Sequence, residues 1–446
     1  MQKGGSTYWR IITLGLPILI GQLGNILVGF ADTNMVGQYS TEALASASFV
    51  NNLFNVSIFA CVGFTYGLTP LVGALFTQKR DHEIGSLLRT GMWVNLLFAL
   101  LITAIMGVVF LNLHRFGLPD ELLPIIRPYF LIYLAGVIPI ALFNLFAQWA
   151  YAIQRTIMPM VIILIANCVN IFGNWLLIRG NLGCPELGLT GAGLASLAAR
   201  WLCVLLIVAV FLSRGIFAGY RHGFFKSPRR KGDITLLNGT SWPVAMQMTF
   251  ESGSFTAAAI MAGWLGKIPL AAFQVIVILG TLGFCIYYSM AAAVSVLVSN
   301  AAGEGNRRQM RRVAGKGYVI MLALATCSSL LFVLGGPHVI RFFTNDPEVI
   351  AVALTLIVPL VLYQYGDATQ INYANALRGT ANVMPMLWIA FVSYVMIGLP
   401  VTYLLAFLLN LGIYGIILSF SVSLFLAATL FLYYFMRTTH LERDAR

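Results

Sequence analysis

Long apolar stretches follow one another along the whole chain, separated by short charged or Gly/Pro/Asn-rich turns. A helix that crosses a membrane needs about 20 mostly apolar residues. Twelve stretches meet this requirement with little polar sequence between them, which disfavours the buried core helices of a water-soluble protein. The predicted spans are 8–36, 44–76, 90–113, 126–153, 158–178, 190–213, 236–262, 269–299, 315–335, 348–376, 384–408 and 412–436.

Composition supports a membrane location. Of the 446 residues, 59% are hydrophobic and 9% are charged, whereas about 25% of a soluble domain is charged. The first apolar segment runs from near Tyr8 to about Gly37 and is much longer than the 7–15-residue core of a signal peptide. We therefore expect it to remain as the first spanning helix of an all-α integral membrane protein.

Basic residues concentrate in alternate loops. With the N-terminus placed inside, 21 of the 27 Lys and Arg lie in inner loops or at inner span ends, with Arg378 in an inner loop; five lie on the outer side, and Arg200 alone lies deep within a span. Such an excess follows the positive-inside rule and predicts that both termini are cytoplasmic. Topology thus accounts for the net charge of +12, and no nucleic-acid partner is predicted.

The two halves of the chain resemble each other at an offset of about 225 residues. Several segments match in the same order: Pro17…Met35-Val36-Gly37 with Pro243…Met261-Ala262-Gly263, Arg155…Met158-Pro159-Met160 with Arg378…Met384-Pro385-Met386, and Gly188 and Gly191 with Gly412 and Gly415. Each half has six spans, so the repeats are parallel and related by an axis along the membrane normal. Transporters of this design bind substrate between two lobes and alternate access by rocking them.

The predicted domains follow from this duplication. They are an N-terminal lobe of helices 1–6 (1–213), a cytoplasmic basic linker (214–235), a C-terminal lobe of helices 7–12 (236–436) and a cytoplasmic tail (437–446). The expected architecture is two six-helix lobes around a central cavity.

With Glu348 counted as part of the loop before its span, three acidic residues remain within predicted spans: Asp32, Glu251 and Asp367. A carboxylate at bilayer depth costs about 2.5 kcal/mol or more, so it must be protonated, coordinate a cation or have polar partners. The repeat places Ala258, Asn25 and Asn144, respectively, at the equivalent positions. The two lobes have therefore kept one scaffold while their chemistry diverged, unless each acid simply makes a structural hydrogen bond.

Polar side chains accompany these acids. Asn170 and Asn174 are four residues apart and share a helical face, on which Asn167 also lies. Tyr363 precedes Asp367 by one turn, flanked by Gln364 and Gln370, and Gln274 lies in the eighth span. Such residues either bind ligands or join membrane helices. Arg200 either pairs with an acid or packs between helices.

The motifs around these residues resemble those of the multidrug and toxic compound extrusion (MATE) transporters. The resemblance rests on Leu16-Pro17…Gly29-Phe30-Ala31-Asp32-Thr33-Asn34-Met35-Val36-Gly37 and on Gly67-Leu68-Thr69-Pro70. Glu251, and Asp367 followed by Ala376-Leu377-Arg378-Gly379, are similar to the NorM-like branch of the family. The resemblance covers essentially the whole chain.

It implies export of amphipathic, mostly cationic drugs and dyes against inward flow of Na⁺ or H⁺. By the same resemblance, the family's cation site corresponds to Glu251 and Asp367, a possible Na⁺ site, with Tyr363 and Gln274 near it. The polar cluster of the N-terminal lobe corresponds by resemblance to Asp32, Asn170, Asn174 and Ser196. Relatives tend to have threonine at the position of Ser196. No cofactor is expected, and the protein is expected to work as a monomer in a bacterial inner (cytoplasmic) membrane.

Three other functions fit the sequence less well, among them a channel, since twelve spans in two repeats suit a transporter better. A flippase for polyprenyl-linked sugars belongs to the same superfamily, but its pyrophosphate cargo would call for several basic residues in the spans, where this chain has Arg200 against three acids. An intramembrane enzyme is disfavoured because all five histidines fall in predicted loops and no hydrolase, metalloprotease or P-loop motif is present. The prediction is a transporter and not an enzyme.

Overall fold

The computed structural model describes residues 6–116, 121–228 and 232–440, and these form helices joined by short turns. The α-helices are α1 (Thr7–Tyr39), α2 (Thr41–Thr65), α3 (Leu68–Thr77), α4 (Asp81–Leu111), α5 (Leu123–Ala135), α6 (Val137–Ala152), α7 (Ile157–Ile178), α8 (Gly188–Ser213), α9 (Ala218–Lys226), α10 (Asp233–Trp264), α11 (Lys267–Gly303), α12 (Arg307–Phe343), α13 (Pro347–Thr355), α14 (Ile357–Gly379), α15 (Met384–Ala390), α16 (Leu399–Tyr403) and α17 (Gly412–Thr438). Two π-helical segments, Phe391–Gly398 and Leu404–Leu408, flank α16. Short 3₁₀ turns cover Leu113–Phe116, Asn181–Gly183 and Gly215–Phe217.

Each predicted span coincides with a long helical segment. Among the described residues, ten segments are long and apolar enough to cross a membrane, and α13 with α14, bent by 51°, forms an eleventh. The 32-residue α10 occupies the position of the seventh predicted span but carries polar residues along its middle, among them Gln247 and Glu251. The prediction of an all-α membrane protein of twelve spanning helices is confirmed.

Several helices begin earlier than their apolar stretch. α4 starts at Asp81, where the prediction was 90, and α12 starts at Arg307, where it was 315. The first turns of both helices are charged. Asp81 and Glu83 suit the positive end of the α4 dipole. Hydropathy therefore locates the membrane-crossing part of these helices and misses the turns that extend beyond it.

Prolines explain where three spans break. Pro70, Pro139 and Pro359 are each the third residue of the helix that follows a break, in α3, α6 and α14. A proline in the first turn of a helix loses no hydrogen bond, because that N–H would have no partner within the helix. The break thus lets the chain change direction without leaving a buried backbone group unsatisfied.

Backbone turns confirm the internal duplication. Left-handed residues occur in pairs at the corresponding turns of the two repeats: Lys79 (φ 57°) with Gly305 (φ 67°), Gln154 (φ 62°) with Ala381 (φ 61°), and Gly188 (φ 54°) with Gly412 (φ 55°). Gly191 near the start of α8 and Gly415 near the start of α17 are also equivalent, since each lies close to a backbone carbonyl. A Cβ on Gly191 would lie 2.5 Å from the Leu177 carbonyl oxygen, and one on Gly415 would lie 2.8 Å from that of Leu405.

By packing, the described residues divide into two compact units. One comprises residues from Ile20 to Ala245, and the other comprises the chain up to Leu19 with the chain from Met246 onward. The division falls inside α1 and inside α10, whereas the predicted domains (1–213, 214–235, 236–436 and 437–446) follow the ends of the spans. Those domain boundaries remain a prediction.

Helix α9, inside the predicted linker, is docked against α4. Two glycines allow the close approach: a Cβ on Gly85 would lie 2.0 Å from the Tyr220 carbonyl oxygen, and one on Gly223 would lie 2.0 Å from that of His82. The Arg89 guanidinium donates to the carbonyls of Phe224 (3.0 Å) and Ser227 (2.7 Å). The described part of the linker up to Pro228 is therefore folded against α4, while residues 229–231 lie outside the described residues.

A polar contact supports the same docking. The Tyr220 hydroxyl hydrogen-bonds the Asp81 carboxylate, and burial together with that carboxylate raises the pKa of Tyr220 to about 12. Tyr220 consequently stays protonated, and keeps donating this hydrogen bond, over the whole physiological range.

We expect Gly85→Ala to weaken this docking, because its methyl group would meet backbone atoms that cannot move without separating the helices. Overpacking of this kind costs roughly 1–3 kcal/mol, more than alanine gains in helix propensity, about 1 kcal/mol. Thermal unfolding of the detergent-solubilised protein measures the effect. Gly107→Ala on the same helix is the control, since nothing lies within 4 Å of its new Cβ. Equal melting temperatures for the two variants would contradict the proposed close contact.

Candidate functional site

A chain of hydrogen bonds joins α1, α7 and α8 in the unit from Ile20 to Ala245. The Asn174 amide donates to Asp32 Oδ1 and, over 3.2 Å, to Asn170 Oδ1. Asn170 in turn donates to Ser196 Oγ over 3.0 Å. The structure thus brings together all four residues predicted for the N-terminal cluster, and Ser196 supplies a hydroxyl to it.

The cluster retains an unused oxygen. Asn174 is fully buried, and its Oδ1 has no hydrogen-bond partner among the described residues. An amide oxygen left free beside a carboxylate is a ligand set that a hard cation prefers. Asn167 is placed differently: its amide nitrogen faces Gly24 on α1, where an added Cβ would lie 3.0 Å away.

Arg200 packs against an aromatic ring. Its guanidinium lies 4.5 Å from the centroid of the Tyr133 ring, in the range of a cation–π contact, and fills the space beside Gly136. Its positive charge also acts on Asp32. Arg200 therefore contributes both to packing and to the electrostatics of the cluster.

The second acidic site lies in the unit that contains α11 to α17. Glu251 on α10 accepts a hydrogen bond of 3.1 Å from Gln247. Asp367 on α14 is only 1% exposed, and its Oδ2 has no hydrogen-bond partner among the described residues. The two carboxylates are close enough to interact electrostatically. A buried carboxylate oxygen without a donor is costly unless the group is protonated or coordinated.

Two tyrosines share this site. Tyr363, which was predicted, interacts electrostatically with both Asp367 and Glu251. Tyr394, which was not predicted, also interacts electrostatically with both acids. It is 3% exposed, and its hydroxyl has no hydrogen-bond partner within the described part of the chain.

Tyr394 lies in the π-helical segment Phe391–Gly398. Insertions of this kind are rare and are frequent at functional sites, because they change the direction of the side chains on the following turn. Apolar sequence gives no signal for a π-helix, and Tyr394 is absent from the predicted site residues. An aromatic residue among small and branched apolar ones was the only available sign.

Aromatic rings form one wall of the site. Phe255 and Phe420 have ring centroids 4.6 Å apart, and the Tyr363 ring lies 6.3 Å from Phe255 and 6.4 Å from Phe420. Aromatic faces carry negative electrostatic potential and attract cations. The apolar wall and the acidic pair therefore favour the same sign of charge.

The other polar residues of α14 fall into different roles. Gln364 accepts a hydrogen bond of 2.7 Å from Tyr287, which also contacts Ser328 at 2.7 Å. These bonds join α11, α12 and α14 and are structural. Gln370 is buried, with its Oε1 lacking a partner among described residues. Gln274 is exposed on α11, and no contact brings it to the acidic pair within the described chain, so its role remains a prediction.

Arg378 differs from its predicted place in a cytoplasmic loop. It lies in the last turn of α14, is buried, and donates to Asn375 Oδ1 and over 3.4 Å to the Tyr288 hydroxyl. Its guanidinium also lies 6.0 Å from the centroid of the Tyr288 ring. The helix continues further than the apolar pattern indicated, which carries this cation into the protein.

Two repeats of membrane helices, each with a polar cluster among its spans, define a helical membrane transporter. The MatE family model matches residues 17–176 and again 243–404, so the two matches reproduce the duplication. The chain belongs to the MATE (MatE) family of membrane transporters.

Solved structures have the same fold. A MOP-superfamily transporter from Pyrococcus furiosus, described as having a binding pocket of reversed polarity that suggests a different function, matches with a TM-score of 0.87 at 19% identity over 97% of this chain and 96% of that one. The eukaryotic MATE transporter AtDTX14 matches with a TM-score of 0.88 at 18% identity over 97% and 98%. A point mutant of the Vibrio cholerae MATE transporter VcmN matches with a TM-score of 0.86 at 16% identity over 98% of each chain.

Proposed function

We propose that the protein is a cation-coupled multidrug efflux antiporter, which exports amphipathic, mostly cationic compounds in exchange for Na⁺ or H⁺. The observation that carries this proposal is the buried Asp367 carboxylate, whose Oδ2 has no donor among the described residues and which interacts electrostatically with a second acid, Glu251. Two neighbouring carboxylates in a low-dielectric site cannot both remain charged without a bound proton or cation.

The available oxygen atoms suit either ion. Glu251, Asp367, Tyr363 and Tyr394 offer carboxylate and phenol oxygens, the hard ligands that Na⁺ prefers. A proton needs only one carboxylate. Since the described residues contain no group of three or more His, Cys, Asp or Glu that could hold a metal ion, a Na⁺ site would depend on the tyrosine oxygens as well.

The sign of the charge favours this function over a lipid-linked oligosaccharide flippase. A pyrophosphate cargo requires several free cations. Arg200 is engaged with Tyr133, and Arg378 donates to Asn375 and Tyr288. The acidic sites, by contrast, keep unpaired oxygens. The reversed pocket polarity described for the Pyrococcus furiosus relative illustrates why this charge balance bears on the substrate.

We further propose that the chain belongs to the NorM-like branch, acts as a monomer in a bacterial inner membrane with both termini cytoplasmic, and contributes to antibiotic resistance. The branch is supported by Glu251 and Asp367, and the orientation by the distribution of Lys and Arg. The activity is transport and not catalysis.

Antiport requires that ion and drug oppose each other. In the proposed cycle a cation from outside binds Glu251 and Asp367, which weakens the hold on drug. The drug leaves, the lobes reorient, and the cation is released to the cytoplasm. The coupling is reciprocal: the factor by which the ion weakens drug binding equals the factor by which drug weakens ion binding.

Efflux from cells tests the acidic pair. We expect Glu251→Gln and Asp367→Asn to abolish most ethidium or norfloxacin efflux, because the amides cannot gain and lose charge. Imposed Na⁺ and pH gradients identify the driving ion for wild type. Asp32→Asn is compared in parallel to assign the N-terminal cluster. If wild type moves no cationic drug under either gradient, the exporter is excluded and the flippase is favoured.

Binding measurements on the purified protein test the coupling. Saturating Na⁺ or acid should weaken drug binding by about 5- to 150-fold, the usual range for coupled sites. Asp367→Asn should lose this effect of the ion while still binding drug. An unchanged drug Kd at saturating Na⁺ and at low pH would refute competition between ion and drug.

Tyr394→Phe tests the tyrosine that the sequence did not reveal. A hydroxyl that interacts with a charged group contributes about 1.5–3 kcal/mol. Its loss should therefore raise the ion concentration for half-maximal efflux about tenfold or more. Tyr403→Phe is the control, as it removes a hydroxyl from an exposed tyrosine in the neighbouring α16. Equal ion dependence in the two variants would remove Tyr394 from the site.

A further inference from the structure

We propose that the groove between α2, α4 and α10 binds one anionic phospholipid, with an acyl chain in the groove and the phosphate at the end near Arg89 and Lys226. This site lies apart from both acidic clusters. It belongs wholly to the unit from Ile20 to Ala245, and it does not depend on the proposed substrate or coupling ion.

The groove is formed mainly by aromatic and aliphatic side chains. It has a volume of about 590 Å³, within the range of about 300–1,000 Å³ found for small-molecule sites. The Phe64 and Phe98 rings stack with centroids 4.2 Å apart, and Trp242 meets both rings edge-on at 5.8 and 5.2 Å. These interlocked rings make a fixed floor, so the groove does not arise from side chains that could collapse into it.

The length and direction of the groove fit one leaflet. Its lining on α4 runs from Thr90 to Leu101, which spans about 17 Å along the helix at 1.5 Å per residue. Half of a typical hydrocarbon core is about 15 Å. Ile234, Asn238 and Trp242 of α10 line the same groove. Because both helices begin at the end predicted to be cytoplasmic, the groove follows the direction of a lipid chain in the inner leaflet.

The inner end of the groove carries positive charge. Arg89 directly precedes Thr90, and it donates to two neutral carbonyls on α9 and the turn after it. Lys226, at the end of α9, is exposed. The sequence has no acidic residue from 187 to 232. From 214 to 233 the sequence holds six Lys and Arg against one acid, Asp233, so a phosphate at this place would meet an excess of cations over carboxylates.

Helix α9 has the character of a membrane-surface element on its free side. Tyr220 and Phe224 are buried on its docked side, while Phe225 is 61% exposed and Ile216, just before the helix, is 63% exposed. Exposed apolar side chains next to basic ones are typical of segments that lie at a lipid interface. Each Lys or Arg near an anionic surface contributes about 1 kcal/mol, equal to about a fivefold preference.

Trp93 and Trp242 allow a direct test, because both line the groove and bromine on an acyl chain quenches tryptophan fluorescence at short range. The purified full-length protein would be reconstituted into phosphatidylcholine vesicles with a minor fraction of dibrominated phosphatidylglycerol, or of dibrominated phosphatidylcholine. We expect stronger quenching by the anionic lipid in wild type. The double variant Trp93→Phe/Trp242→Phe should lose this difference.

Matched controls separate the groove from ordinary lipid contact. Trp264→Phe/Trp388→Phe removes two other exposed tryptophans and should keep the preference for the anionic lipid. Lys226→Gln should lower that preference about fivefold, while Arg308→Gln, which removes an exposed cation near the start of α12, should not. Circular dichroism and elution profiles verify that each variant is folded.

Two results would overturn the proposal. One is equal quenching of wild type by the two brominated lipids, which would make the groove part of the general lipid-facing surface. The other is a preference for the anionic lipid that survives in Trp93→Phe/Trp242→Phe, which would place the anionic lipid elsewhere on the protein. Retained preference in Lys226→Gln together with loss in Arg308→Gln would likewise contradict the assigned position of the phosphate.

Discussion

The need to satisfy every backbone polar group without water governs this structure. In hydrocarbon an unpaired N–H or C=O costs several kcal/mol, which restricts single-chain spans to helices whose hydrogen bonds close within the segment. Three breaks within the described spans fall where the missing hydrogen bond would have had no partner in the helix. Pro70, Pro139 and Pro359 stand where a helix restarts, and the π-helical segments near Tyr394 keep backbone bonding with a longer repeat.

Acidic residues are subject to the same constraint, and the duplication shows its effect. Asn144 occupies the position equivalent to Asp367, and its amide donates back to the Ile140 carbonyl over 2.9 Å. The Asn144 amide nitrogen is thus bonded within its own helix, whereas Asp367 Oδ2 has no donor among the described residues. The scaffold tolerates an inert polar residue at this depth. An unsatisfied acid at the equivalent place is a specialised feature of one repeat.

Much of the fold could be predicted from the sequence, because the physical signals are local. Apolar length gave the twelve spans, and equal spacing gave the duplication that the paired left-handed turns, such as Gln154 and Ala381, confirm. Helix ends were less predictable where charged first turns continue a span, as at Asp81, or where a helix outlasts its apolar stretch, as at Arg378. Docking of α9 depended on Gly85 and Gly223, whose need for close approach appears only once both helices are placed.

The site was predictable in its charges and not in its geometry. A carboxylate within a span is conspicuous in any sequence, so Asp32, Glu251 and Asp367 could be found, and periodicity placed Asn170 and Asn174 on one face. Neutral residues such as Gln274 and Tyr394 carry no such signal, since polar and aromatic side chains in membrane helices serve packing as often as binding. What distinguishes Tyr394 is burial without a partner beside two acids, and Gln274 is exposed. A ligand role for a neutral side chain is therefore a property of its surroundings, which only the packed helices define.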